Sequence, residues 1–203
     1  VYDTVNLWLP YRKMMEEVLN EIPAREGATI LDAGCGTGNL CRLLVEKNPR
    51  ARVTGIDFSL TMLANAAKNL ENTGVRLQRM DLNQPLAFDN NCFDCVAAVN
   101  SLYAVDSPSQ VLKEFYRVLR PGGRLVIANP VAGAKAISPR KKMGWDWSRM
   151  TNPKPLLDIP LLIFINMVIY LKSLANRYHF ISEAGLQKIL QEAGFKSIRF
   201  KYV

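Results

Sequence analysis

The chain has 203 residues, 49% of them hydrophobic and 22% charged, enough apolar material for one domain with a full core and too much for a compositionally disordered chain. Its four cysteines do not make a disulfide framework at this length, and the first residues lack the order of a secretory signal, so a reducing cytoplasmic setting is expected. The net charge of +8 calls for an anionic partner or surface, and half of that excess falls between residues 131 and 160, where six basic residues face two acidic ones.

In chain order, PYRKMMEEVLNEI spaces Met14, Met15, Val18, Leu19 and Ile22 as a helix does, and Pro23 ends it. A regular alternation follows. ATILDA, RVTGID, VRLQRMD, CFDCVAAV and RLVIANP read as strands, with NLCRLLVEKN, SLTMLANAAKNLEN and PSQVLKEFYRVLR as the helices between. Ser59 is placed to cap the second of these helices, and the run PGG stops the third. After an irregular stretch, SEAGLQKILQEAG reads as a final helix and KSIRFKYV as a sixth strand. Such alternation implies right-handed crossovers and an α/β, doubly wound, mostly parallel sheet. Residues 1–203 are therefore expected to form a single domain, with 1–26 as an N-terminal helical segment and 131–178 as a helical insertion after the fifth strand. That insertion leaves the carboxyl end of the fifth strand, the edge where open α/β sheets bind ligands.

The run LDAGCGTGN carries three glycines, Gly34, Gly36 and Gly38, in the turn after the first strand. Without Cβ atoms the turn accepts left-handed angles and lets a ligand lie against the main chain. A pyrophosphate-binding turn spaces its glycines G-x-G-x-x-G. Here Asn39 stands where the third of those glycines belongs, and Asp32 puts a carboxylate ahead of the turn. That carboxylate repels a phosphate and welcomes an amino group.

These residues resemble motif I of the class I S-adenosylmethionine-dependent methyltransferases, and the resemblance continues in order along the chain, to the small-molecule, quinone-methylase-like branch. TGIDFS, RMDLNQPLAF, FDCVAAVNSLYAV, LKEFYRVLRPGGRLVIANP and HFISEAGLQKILQEAGF each sit where the family has a landmark. The resemblance implies a Rossmann-like methyltransferase fold and S-adenosylmethionine as cofactor, with S-adenosylhomocysteine as product. It assigns Asp32 and the carbonyls around Gly34 and Cys35 to the cofactor ammonium, and Gly36, Gly38 and Asn39 to close backbone contact. Asp57 takes the ribose hydroxyls, Phe58 and Met62 flank the adenine, and Asp81 with Leu82 reads its edge. Ala98, Val99 and Asn100 lie near the methyl donor, and Tyr11 folds over the cofactor carboxylate. Tyr103 and the lone histidine, His179, are the catalytic candidates, the first as an aromatic face for the sulfonium and the second as a base. The family's sheet ends in a seventh, antiparallel strand that this sequence does not reach. The chain also begins without methionine, so a trimmed fragment is one reading of it.

Two further stretches bear on the acceptor. SPRKKMGWDWSRM mixes basic residues with Trp145 and Trp147, and IPLLIFINMVIYL is almost wholly apolar but shorter than the ~20 residues a bilayer-spanning helix needs. Their readings are a lid, a greasy acceptor pocket whose rim touches anionic membrane, or an RNA-binding surface. The cysteines do not combine into a zinc set, because Cys35 belongs to the turn and Cys95 to a buried strand, so no metal is expected. The favoured function is methyl transfer to oxygen or carbon of a small apolar or aromatic metabolite. An RNA methyltransferase, a nucleotide-dependent oxidoreductase and a non-catalytic cofactor-binding domain are the alternatives.

Overall fold

The computed structural model describes residues 9–23, 25–129 and 180–202. Helix α1 (Leu9–Glu21) leads into strand β1 (Thr29–Ala33), helix α2 (Asn39–Lys47), strand β2 (Arg52–Asp57), helix α3 (Leu60–Asn69) and strand β3 (Arg76–Arg79). Strand β4 (Phe93–Val99) follows, then a 3-10 turn at Leu102–Ala104, helix α4 (Pro108–Val118), strand β5 (Leu119–Ala128) and helix α5 (Glu183–Glu192). The five strands form one sheet in the order β3-β2-β1-β4-β5, every pair parallel. The carboxyl ends of all five therefore share one edge.

The central strands β1, β2 and β4 are buried on both faces because helices cover both. Alternation sends Ile30, Cys95, Ala97 and Val126 toward Met15, Val18, Leu40 and Leu44 of α1 and α2. It sends Leu31, Ala33, Ile56, Val96 and Ala98 toward Val111, Leu112, Phe115 and Leu190 of α4 and α5. Asp32 shares its face with Ile30, so its carboxylate is carried under α2. The Ser59 hydroxyl caps α3 by accepting from the Met62 N–H, as the sequence predicts.

Two strand assignments are corrected. The run PGG does not stand between α4 and the fifth strand but lies inside β5 as an irregularity. Phe93 pairs with Leu119 while Cys95 pairs with Arg124, and Gly122 absorbs the distortion with a φ of 77°. Among the described residues no sixth strand forms, since residues 195–202 pair with no ladder. Their alternating charges reach α1 instead. Arg199 bonds Glu21 at 2.9 Å, and Lys201 bonds Glu21 at 2.7 Å and Glu17 at 3.2 Å. At the start of α5, Ser182 Oγ accepts from the Gly185 N–H. Glycine holds the position where a capping box needs its acid, and Glu183 meets the Tyr202 hydroxyl. The helical insertion at 131–178 and its tryptophans lie outside the described residues.

Candidate functional site

The site grows from the turn between β1 and α2. Gly34, Gly36 and Gly38 all have positive φ, at 81°, 53° and 84°, a conformation that penalises any side chain. The three do different work. A Cβ on Gly34 would stand 2.5 Å from Ser101 Cβ, and one on Gly38 would stand 2.6 Å from Leu70 Cδ1. A Cβ on Gly36 would meet nothing within 4 Å. The outer glycines thus let the turn pack, whereas the middle one keeps its outer surface bare. The Gly34 and Cys35 N–H groups both donate to the Ile56 carbonyl, at 2.8 and 2.9 Å, which ties the turn to β2.

Asp57 ends β2 and straps this turn to the next helix. Its Oδ2 accepts from the Gly36 N–H and its Oδ1 from the Ser59 N–H, each at 2.9 Å. A carboxylate offers about four lone-pair positions, so each oxygen keeps one for a ligand. Beyond it Phe58 is 68% exposed, its carbonyl taking the Arg79 Nε–H at 3.2 Å. Met62 is half-buried on the first turn of α3.

Asp32 is the unusual member. It is only 2% exposed, and its Oδ2 accepts from the Cys41 thiol at 3.2 Å. Loss of water drives its pKa up, the Cys41 hydrogen bond opposes this, and the like charge of Asp57 reinforces it; the result is a carboxyl pushed up to about 7. No cation from the described residues pairs with it. Hydrogen bonding with Cys35, burial and the neighbouring Asp32 hold the Cys41 thiol protonated, so it serves as a donor. Cys95 is fully buried and pushed up to about 12 by desolvation, which fits a core thiol.

The remaining predicted residues fall in several places, not all of them at this sheet edge. Asp81 is exposed beyond β3 and closes a turn by accepting from the Asn83 N–H at 2.9 Å, while Leu82 packs on the core. Ala98 is fully buried among core residues, so it offers the edge no side chain. Val99 and Asn100 come to the surface, with Asn100 left-handed at φ 53° and its N–H donating to the Ala128 carbonyl at 2.8 Å. Asn39 opens α2. Tyr103 sits on the 3-10 turn, stacked on Phe180 with ring centroids 5.6 Å apart. Tyr11 lies inside α1 rather than before it, packed against the core of that face. His179 lies outside the described residues. Sequence reasoning missed Cys41 and Ser101, whose hydroxyl donates to the Ala33 carbonyl at 2.8 Å. The second had a faint signal in the polar pair Asn100-Ser101 closing an apolar strand.

The family model described as a methyltransferase domain matches residues 31–127. A demethylmenaquinone methyltransferase of Lactiplantibacillus plantarum is 30% identical over 195 residues, covering 94% of this chain and 80% of its own. The chain belongs to the class I S-adenosylmethionine-dependent methyltransferases, in their quinone-methylase-like branch. A ubiquinone/menaquinone biosynthesis C-methyltransferase of Desulfotalea psychrophila shares 44% identity over 108 residues, which is 53% of this chain and 44% of that protein. The match to that relative thus spans less than half of its length. An S-adenosylmethionine-dependent methyltransferase of known structure from Mesorhizobium loti superposes with a TM-score of 0.63 at 23% identity, over 88% of this chain and 79% of its own. That likeness establishes the methyltransferase fold, and the family's cofactor is S-adenosylmethionine.

Proposed function

We propose that this chain transfers a methyl group from S-adenosylmethionine to a ring carbon of a small, hydroquinone-like aromatic acceptor. One observation carries the reading. Asp32 is a buried carboxylate that faces a second acid, Asp57, beneath a bare turn, with no cation among the described residues beside it. A ligand bringing an ammonium relieves both charges, whereas a pyrophosphate adds to them. This disfavours the dinucleotide oxidoreductase.

The residues present fit the cofactor. Asp32 and the backbone at Gly34 and Cys35 receive the amino-acid end, and the open space over Gly36 admits the nucleoside against the main chain. The two vacant lone pairs of Asp57 match a ribose diol, as a bidentate acceptor should. Phe58 and Met62 flank the adenine, Asp81 and Leu82 border its edge, and Gly38 with Asn39 closes the far side. Tyr11, on α1, is the candidate cover for the cofactor carboxylate. Val99, Asn100 and the backbone of Ala98 face the methyl end.

The cofactor supplies a methyl group already activated by its sulfonium charge, so the protein's task is orientation and exclusion of water. A ring carbon becomes nucleophilic when a neighbouring hydroxyl gives up proton density, and a base at that hydroxyl helps. His179 is the proposed base, and Tyr103 supplies an aromatic face for the sulfonium. The quinone relatives support carbon as the methylated atom. We assign the acceptor side to residues 131–178, whose sequence pairs an apolar run with a basic, tryptophan-bearing one. Such a rim suits a lipophilic acceptor held in an anionic membrane surface. No described helix is long and apolar enough to cross a membrane.

Incubation with S-adenosylmethionine and a reduced 2-prenyl-1,4-naphthoquinone tests the reading directly. The expected product carries a new ring methyl and appears with stoichiometric S-adenosylhomocysteine. Methyl transfer to RNA but not to the quinol would overturn the acceptor, and tight binding of NADH in place of S-adenosylhomocysteine would overturn the whole reading.

A further inference from the structure

At the carboxyl end of β5, one polar atom stands apart. Asn129 interrupts the apolar run LVIANP, and its Oδ1 is buried with no hydrogen-bond partner among the described residues. An amide oxygen withdrawn from water without a donor carries an uncompensated desolvation cost, and native proteins leave few such groups without a reason.

Its position supplies the reason. Val99 of β4 pairs with Ala128 of β5, and the Asn100 N–H donates to the Ala128 carbonyl, so Asn129 stands across from the Asn100 turn. That turn is joined to the glycine turn by the Ser101 hydroxyl on the Ala33 carbonyl. Asn129 therefore belongs to the ligand edge, but on its β4–β5 side. The groups suited to the nucleoside, Asp57, Phe58 and Asp81, occupy the β2–β3 side. With the nucleoside placed there, the edge beside Asn100 is left for the reacting end.

We propose that Asn129 is an acceptor-binding residue, whose Oδ1 takes a hydrogen bond from a hydroxyl on the aromatic methyl acceptor. This deepens the methyl-transfer reading and rests on it for the nature of the ligand. An amide oxygen cannot remove the proton at neutral pH, but it orients the hydroxyl and draws electron density from O–H into the ring, favouring attack from an ortho carbon. The substrate class follows: aromatics with a free hydroxyl beside the methylated carbon, in preference to their ethers.

The test separates binding from turnover. With the full chain saturated by S-adenosylhomocysteine, calorimetry compares 1-naphthol with 1-methoxynaphthalene for wild type and Asn129→Leu. Wild type is expected to prefer the naphthol by ten-fold or more and Asn129→Leu by less than two-fold, with S-adenosylhomocysteine affinity unchanged between them. The apo variant should melt no lower than wild type, because an orphaned oxygen has been removed; an Asn with a structural partner would instead lower the melting temperature. Equal affinity for the two probes in wild type, binding of neither, or a preference retained in Asn129→Leu overturns the proposal. Failure of the methyl-transfer reading is distinguishable, because it appears as absent quinol turnover whatever the naphthol preference.

Discussion

Two aspartates at opposite ends of the sheet show how the same residue is used for folding and for binding. Asp94 sits near the amino end of β4 with 13% side-chain exposure, ringed by Arg25 at 2.6 Å and Arg120 at 2.8 Å. It also accepts from the Thr29 N–H and hydroxyl, both at 2.8 Å. Burial opposes its charge, but the Thr29 and Arg120 donors overcome that and hold it well below the usual carboxylate range. Asp32 sits near the carboxyl end of β1, more deeply buried, with a thiol for company. The protein pairs the first charge with cations from its own chain and gives the second none among the described residues; on the proposed reading a ligand completes it.

The contrast can be broken most forcefully at Asp57. Asp57→Ala removes both the strap on the Gly36 N–H and the proposed ribose acceptor, so S-adenosylhomocysteine affinity should fall on the order of 100-fold or more. Calorimetry checks it, and unaltered affinity would show that the diol lies elsewhere.

Next come the paired aspartates. Asp32→Asn relieves a buried charge and should stabilise the apo protein at pH 8 by roughly 2–4 kcal/mol, while weakening cofactor binding. Asp94→Asn leaves Arg25 and Arg120 without their partner and should cost about 2 kcal/mol. Denaturant unfolding of both variants reads the two signs. Their pH profiles differ accordingly. Asp94, with a depressed pKa, contributes stability above the ordinary carboxylate range and loses it as pH falls below that range. Asp32, with a raised pKa, favours the folded apo chain at low pH, and that contribution is lost as pH rises from about 4 toward 7.

The glycines give a finer cut. Gly38→Ala, at φ 84° and 2.6 Å from Leu70, should destabilise by about 2–4 kcal/mol from backbone strain and overpacking together. Gly36→Ala meets no neighbour and should cost only about 1 kcal/mol, yet its methyl enters the space assigned to the cofactor. Thermal melts with and without S-adenosylhomocysteine separate a folding loss from a binding loss. The smallest effect is a pH dependence. Cofactor affinity should weaken by less than ten-fold per unit as pH falls below about 7, with proton release visible in buffers of different ionisation enthalpy.

The sequence makes much of this architecture legible because it depends on local chemistry. Apolar runs ending in an acid read as strands meeting a ligand edge, and Ser59 before an apolar-periodic segment reads as a cap. Asp57 and the glycine turn were identifiable from their order along the chain. What escapes is chemistry between elements far apart in sequence. KSIRFKYV has a strand's alternation, but Arg199 and Lys201 answer acids on α1 some 180 positions earlier. Cys41 carries no motif of its own and reaches Asp32 only because α2 crosses the face that Ile30 defines. Ala98 shares the strand end with Val99 but points the other way, into the core. Alternation predicts that some neighbour must, without saying which.

The central claim is that Asp32 awaits the cofactor's ammonium. Calorimetry of S-adenosylhomocysteine against its deaminated analogue, on wild type and on Asp32→Asn, tests it most directly. Wild type should bind the deaminated analogue on the order of 100-fold more weakly, and Asp32→Asn should shrink that gap to less than ten-fold. Equal affinity of wild type for the two ligands would contradict the account.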